Sequence, residues 1–150
     1  MYRNLDLYTS IVTCCKPVLW WELCKNNPRL IRSCKNLVTL LTGGGNLNAI
    51  TASWGDAQTS QDRAICSGCG ECRETLEHFI FHCNINYVER QTILRIISTF
   101  ETKNSVILTE DKKLQLIFGK DKLLSDHDYV EICQTIYLMY TNGERYAQPV

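Results

Sequence analysis

Apolar residues recur at three- and four-residue intervals over much of this chain, the periodicity of helices that bury one face. Leu5, Leu7, Tyr8, Ile11 and Val12 give the spacing over residues 2–15, and Pro17 ends or kinks that helix because it supplies no backbone donor. Val18 to Lys25 reads as a short apolar helix. Asn26-Asn27-Pro28 breaks it, and Pro28 can occupy the first turn of the next. From Arg29 to Leu41 the positions Leu30, Ile31, Cys34, Leu37, Val38, Leu40 and Leu41 are apolar, and Gly43-Gly44-Gly45 stops the helix. Leu47 to Trp54 predicts a further short helix, and Gly55 to Arg63 a polar loop.

After a cysteine-rich turn over residues 64–73, Thr75 to Cys83 reads as a helix with Leu76, Phe79, Ile80 and Cys83 apolar. Tyr87 to Phe100 continues helical, with Ile93, Leu94, Ile96 and Ile97 facing a core. Ser105 to Lys113 carries no clear period, and Leu114 to Phe118 is short and apolar. Asp126 to Tyr140 is the clearest amphipathic helix of the C-terminal part, and Asn142-Gly143 is expected to end it. The fold class is therefore mainly α: a small helical domain with one zinc-knuckle hairpin, either treble-clef-like or a knuckle followed by a helix. Two parts are expected, a basic helical part over residues 1–45 and a zinc-knuckle helical domain over 46–150, forming one compact unit.

Composition sharpens this in two respects. With 150 residues and 45% hydrophobic residues, the chain can bury a core of its own. Nine cysteines is far above ordinary usage, and an odd number leaves one over if all pair. Met1 to Ser10 has no uninterrupted apolar stretch after a basic start, and no run approaches the ~18–20 apolar residues of a membrane span. An intracellular, reducing setting with metal-bound thiols is expected, nuclear or cytoplasmic, with no membrane partner. Net charge is zero, yet residues 1–45 hold Arg3, Lys16, Lys25, Arg29, Arg32 and Lys35 against Asp6 and Glu22. Neutrality argues against strong nonspecific attachment to a nucleic-acid backbone, while the basic N-terminal third keeps a local contact open.

The strongest chemical signal is Cys66-Ser-Gly-Cys69 followed by His78 and Cys83. Two thiols two residues apart can hold one metal from a tight turn, and an imidazole and a third thiol complete a closed tetrahedral Zn²⁺ site. Gly68 and Gly70 let the backbone fold tightly enough for amides to face the sulfurs. His78 and Cys83 both reach the metal if Cys83 lies at or past the end of its helix. A second ligand register, Cys69, Cys72, His78 and His82, is open, although its five-residue gap between Cys72 and His78 is short for a finger. The plain alternative treats these cysteines as small buried apolar residues. A redox role for the Cys-x-x-Cys lacks the preceding strand and following helix that such a site uses.

Cys14, Cys15, Cys24, Cys34 and Cys133 sit in apolar patterns and read as core packing, as do Trp20 and Trp21. Arg29, Arg32 and Lys35 are a solvated helix face unless a polyanion covers them. Asp126, His127 and Asp128 read as helix-start residues that complement the dipole.

The stretch from Ala64 to Cys83 resembles the zinc-binding segment downstream of the polymerase in non-LTR (LINE-type) retrotransposon reverse transcriptases. That family's pattern is Cys-x2-Cys-Gly, a short spacer, Glu-Thr-x-Glu-His, an apolar stretch and a last Cys; here Glu74-Thr75-Leu76-Glu77-His78 is followed by Phe79-Ile80-Phe81 and Cys83. Tyr87 and Arg90 stand where the family has an aromatic residue and an Arg, and Arg145 stands near the end of a late helix. Leu41-Thr42-Gly43-Gly44 is similar to its Leu-x-Thr-Gly-His turn, with Gly44 in place of the histidine. The resemblance spans Arg29 to Arg145, is specific around the cysteines and loose elsewhere. It implies Cys66, Cys69, His78 and Cys83 as Zn²⁺ ligands and an RNA or DNA context, with contacts at Arg29, Arg32, Lys35, Arg73 and Arg90. Nothing here matches a polymerase metal-binding turn or a nuclease. The expected function is a non-catalytic, structural-zinc accessory of a retrotransposon-derived protein, working with RNA, DNA or the polymerase domain of a parent element. The competing expectations are a protein-interaction module and a non-functional fragment of a retrotransposon polyprotein.

Overall fold

The protein is mainly α-helical. The computed structural model describes residues 9, 19–42, 47–48, 64–119 and 121–144, with the side chains of residues 19–21 and 143–144 outside that description. The expected helix over 2–15 (Thr9 apart), the Gly43–Gly45 stop, most of the 47–54 helix, the 55–63 loop, Arg145 and the side chains of Trp20 and Trp21 therefore lie outside the described residues.

Helix α1 runs over Leu19–Asn26. Pro28 opens a 3-10 turn, Pro28–Leu30, that leads directly into α2, Ile31–Leu41. The break expected at Asn26-Asn27-Pro28 is thus a corner between two helices. Helix α3 spans Tyr87–Asn104, α4 Glu110–Gly119 and α5 Asp126–Glu144. Two of these boundaries differ from the sequence reading. The stretch over 105–113 divides: Ser105 takes the left-handed conformation (φ 53°) to close α3, and Val106 donates to the Glu101 carbonyl at 3.0 Å. Thr109 then starts α4, its hydroxyl accepting the Lys112 N–H at 3.4 Å, so that Leu114 to Phe118 is the buried half of a helix rather than an isolated run. At the other end, Asn142-Gly143 does not stop α5, which continues to Glu144. Asn142 is instead tied to α3 by donating to Glu89 at 2.9 Å. The start of α5 is capped by Ser125, whose Oγ accepts the Asp128 N–H at 3.1 Å and donates to the Asp128 carboxylate at 2.7 Å.

Helix α5 is the organiser of the core. It packs against α2, α3 and α4, and α1 folds back on α2. Leu37, Leu40 and Leu41 from α2, Ile93 and Ile97 from α3, Ile117 and Phe118 from α4, and Tyr129, Ile132 and Ile136 from α5 are all but closed to solvent. Each such side chain contributes roughly 1.5–3 kcal/mol relative to leaving it exposed. No helix among the described residues is long and apolar enough to cross a membrane. No strand occurs among them either: the cysteine turn is closed by one isolated antiparallel bridge, Ile65 with Arg73, where the sequence reading expected a zinc-knuckle hairpin.

Candidate metal centre

Cys66, Cys69, His78 and Cys83 come together, with one donor atom from each lying within 4.8 Å of every other. Local backbone chemistry builds this arrangement in two halves.

The first half is the turn. Around the Ile65–Arg73 bridge, the Cys66 N–H donates to the Cys72 carbonyl and the Glu74 N–H to the Ala64 carbonyl, both at 2.8 Å. Inside that loop Gly70 donates to the Cys66 carbonyl at 2.8 Å and adopts φ +70°, a conformation that side chains other than glycine's resist. The loop so wound turns its amides inward. The N–H groups of Cys69 and Gly68 point at the Cys66 sulfur, and those of Glu71 and Cys72 at the Cys69 sulfur. These four donors stabilise negative charge on sulfur, and the amides of Glu71 and Cys72 lower the Cys69 pKa. Cys66 behaves oppositely: burial pushes its thiol up to about 12, against the pull of its own two amides, with Cys83 and the Glu74 carboxylate adding to the rise. A buried thiol of this kind gives up its proton when a cation replaces it.

The second half is a short helix of unusual pitch. Thr75 caps it, its Oγ accepting the His78 N–H at 3.1 Å and its carbonyl the Phe79 N–H at 2.9 Å. From His78 to His82 the chain winds as a π-turn, and the Cys83 N–H donates to the His78 carbonyl five residues back at 2.7 Å. This corrects the regular helix expected over 75–83. In an α-helix, residues five apart point about 140° away from each other around the axis. The wider turn places Cys83 back over His78, and Cys83 then leaves in an extended conformation (φ −65°, ψ 123°). Leu76, Phe79, Ile80 and Phe81 bury the other side of the turn in the core, anchoring the site to the bundle.

The distances suit a small tetrahedral cation. Cys66 Sγ lies 3.7 Å from Cys83 Sγ, and Cys69 Sγ lies 3.4 Å from His78 Nε2. Sulfurs each bound ~2.3 Å from a central ion stand ~3.8 Å apart in a tetrahedron, and a nitrogen bound at ~2.0–2.1 Å comes slightly closer. His78 is buried to 7% exposure, and burial, followed by its neighbours His82 and Arg90, lowers its pKa, which favours the neutral imidazole that a metal needs. Three thiols and one neutral imidazole form a set that can hold a metal ion such as zinc.

The alternative register does not assemble. Cys72 is exposed on the outside of the turn, and His82 points away from the cluster to meet the Glu110 carboxylate at 2.8 Å. His127, Asp128 and Glu131 also lie near one another, but on the exposed start of α5.

Several residues around the cluster were missed or misplaced by the sequence reading. Glu74 has one carboxylate oxygen 3.6 Å from Cys66 Sγ and the other accepting the Asn48 N–H at 2.7 Å, while the Asn48 side chain donates to the Ile65 carbonyl at 2.6 Å. These bonds pin the turn to Leu47 and Asn48. Arg90, expected as a nucleic-acid contact, is only 8% exposed; it donates to the Cys83 carbonyl at 2.9 Å and lies over the Tyr87 ring. Its guanidinium holds the last ligand's backbone and is not presented to a ligand outside. Asn86, buried below it, donates from its side chain to the Phe79 carbonyl at 3.2 Å. Thr75 was legible in principle, because Thr-x-x-His78 has the spacing of a cap and its third helical residue. The placement of Arg90 depends on where the π-turn leaves the Cys83 carbonyl, and that of Glu74 on its bond to Asn48; neither has a local pattern. Arg29, Arg32, Lys35 and Arg73 are exposed. No family model, curated protein or solved structure matches this chain.

Proposed function

We propose that this chain is a structural-zinc domain in which Cys66, Cys69, His78 and Cys83 hold one Zn²⁺, and that it serves as a non-catalytic accessory to RNA or DNA in a retrotransposon-derived protein. The observation that carries the metal reading is the convergence of four donors within 4.8 Å, three of them sulfurs, on a loop whose amides already face two of those sulfurs. Zinc bound there supplies folding free energy to a turn with little core of its own. Four protein ligands fill a tetrahedral site and leave no position for a reactive water. The nucleic-acid reading draws on the likeness of Ala64 to Cys83 to the reverse-transcriptase segment and on Arg29, Arg32 and Lys35, which stand exposed three residues apart across the 3-10 turn and α2. A protein-binding role is the second reading. It is favoured by Tyr87 and Val88, which are 58% and 74% exposed immediately after the cluster.

The test has two arms on the purified chain. Elemental analysis should find a single zinc per chain, lost in Cys69→Ser and His78→Ala and kept in Cys72→Ser and His82→Ala. Gel shifts with single-stranded RNA, structured RNA and duplex DNA at low salt should show weak binding. Its salt dependence should fall by about 2–3 in log–log slope when Arg29, Arg32 and Lys35 are replaced together by Ala. Zinc retained in His78→Ala overturns the ligand set; no shift with any of the three probes overturns the nucleic-acid role.

A further inference from the structure

Arg90 is the one Lys or Arg buried among the described residues. Its guanidinium has two neighbours. Nη1 donates to the Cys83 carbonyl at 2.9 Å, and the central carbon lies 5.6 Å from the centre of the Tyr87 ring. Neither neighbour is a carboxylate, and none of the ion pairs among the described residues includes Arg90. A neutral carbonyl satisfies a donor but does not cancel a charge, and a buried cation without a counter-charge is costly. Position adds to that cost. Arg90 lies in the first turn of α3, where the helix dipole disfavours positive charge. Three circumstances therefore oppose a cation at this place, and the group it adjoins is the last residue of the metal cluster.

We propose that Arg90 is the charge partner of the metal centre: its buried guanidinium balances the negative charge that the four-ligand site acquires on binding Zn²⁺, and so raises metal affinity. This rests on the zinc reading given above. Zn²⁺ held by three thiolates and one neutral imidazole carries a single net negative charge. The Glu74 carboxylate, 3.6 Å from Cys66 Sγ, brings further negative charge to the same place. His82 does not offset it, being directed to Glu110. An anionic centre withdrawn from water is stabilised by a cation fixed beside it. Because the sulfurs shed their protons to the solvent as the metal enters, the centre gains its negative charge on loading, and the attraction favours the loaded state over the empty one. Arginine suits the task, since its planar guanidinium can reach a carbonyl with one edge while its face rests on an aromatic ring. Arg90 supplies no ligand atom; it is a positioning residue that acts on the site through the Cys83 backbone and through its charge.

The experiment measures zinc affinity of the full chain by competition with a chromogenic chelator. Arg90→Gln keeps an N–H donor for the Cys83 carbonyl and loses the charge, whereas Arg90→Lys keeps the charge and loses the planar fork. Arg90→Gln should weaken zinc binding by about 10–100-fold, the range for loss of a group that supports a metal ligand, and Arg90→Lys should retain most of the affinity. Helical signal and the tetrahedral absorption spectrum of the Co²⁺-loaded chain should be unchanged in both, which reports an intact fold and ligand set. A second arm isolates charge. Cys69→His exchanges a thiolate for a neutral imidazole and makes the loaded centre neutral. In that background Arg90→Gln should cost a much smaller factor, a non-additivity that loss of packing or of one hydrogen bond would not produce. A third measurement needs no variant: the Arg90 guanidinium N–H signals of the unaltered chain should shift and exchange more slowly with water when zinc is added.

Zinc bound as tightly by Arg90→Gln as by the unaltered chain overturns the proposal. So does an equal loss in Arg90→Lys and Arg90→Gln, an equal factor for Arg90→Gln in both backgrounds, or guanidinium signals indifferent to zinc; Arg90 is then only a latch on the Cys83 carbonyl. If the unaltered chain takes up no zinc, the zinc reading itself has failed and this inference falls with it, a result separable from the others because it appears without any substitution.

Discussion

Cys66, Cys69 and Cys83 are gathered by the backbone, whereas Cys24, Cys34 and Cys133 are gathered by the core. The first group lies within eighteen residues, on a loop and a π-turn, and its sulfurs are met by amide donors. Between Ala64 and Thr75 the only buried side chains are those of Ala64 and Cys66. The second group comes from three helices and sits among the apolar side chains of the core. One residue type therefore carries two different energetic situations. In the turn, local hydrogen bonds orient the four donor side chains while apolar burial is small, so a metal ion bound there as proposed would supply stability that packing does not. In the bundle, burial is ample, and the cysteines are carried by helix packing as small apolar residues. Three outcomes would break or sharpen this contrast.

The largest effect concerns the metal. With zinc held as proposed, a chelator should release the turn while leaving the bundle intact, because structural zinc binding in small sites is worth roughly 10–16 kcal/mol of apparent free energy, comparable to an entire domain's stability. Hydrogen exchange reads the difference directly. The amides of Gly68, Cys69, Glu71 and Cys72, which face sulfur, should be protected with metal and exchange rapidly without it. The amides of α2 and α5 should keep their protection in both states. Equal loss of protection in the turn and in α5 on chelation would merge the two regions into one cooperative unit and remove the distinction.

The converse perturbation is smaller. Leu37 is fully buried on α2, the helix that packs on α5. Leu37→Ala should cost about 2–5 kcal/mol by loss of apolar transfer and the cavity left behind. Chemical denaturation followed by helix signal measures that loss, and zinc stoichiometry of the folded fraction should not change. A fall in zinc content under conditions where the chain is still folded would show that the bundle, through Phe79 and Ile80, orients the ligands more strongly than the loop amides do.

Which of these features could be seen in the sequence follows the same division. The convergence of Cys66, Cys69, His78 and Cys83 was legible because all four residues are close in the chain and their types are chemically restrictive. The helices α2, α3 and α5 were legible from apolar period. The π-turn was not, because the residues 78–82 carry an ordinary helical pattern and the widening is decided by Cys83 reaching back to the His78 carbonyl. Arg90 looked like a surface cation because side-chain type says nothing about a buried carbonyl waiting seven residues earlier. Cys24, Cys34 and Cys133 were legible as core residues from the apolar period around them, and all three pack in the apolar cluster of the bundle. Helix α5 ran past Asn142-Gly143 because Asn142 finds a partner in Glu89, and a glycine signals a helix end only when the chain has somewhere better to go.

The smallest effect tests the turn from inside. Gly70 adopts φ +70°, and an added Cβ there would meet no heavy atom within 4 Å, so Gly70→Ala carries conformational strain without steric conflict. That strain should cost about 1–2 kcal/mol in the metal-bound protein. Asn, which tolerates the left-handed region better, should recover part of it. Gly68→Ala is the contrasting case: its Cβ would lie 2.8 Å from Ile85 Cδ1, the mobile end of a side chain that can turn aside, and 3.4 Å from the Cys66 sulfur. Zinc affinity, measured by competition with a chromogenic chelator, should fall for Gly70→Ala, while stability of the chelated protein should hardly respond, because the turn is then already released and its backbone is free to choose another conformation. If Gly70→Ala destabilises the chelated chain as much as the loaded one, the turn holds its shape without metal, and the amides rather than the ion are what fold it.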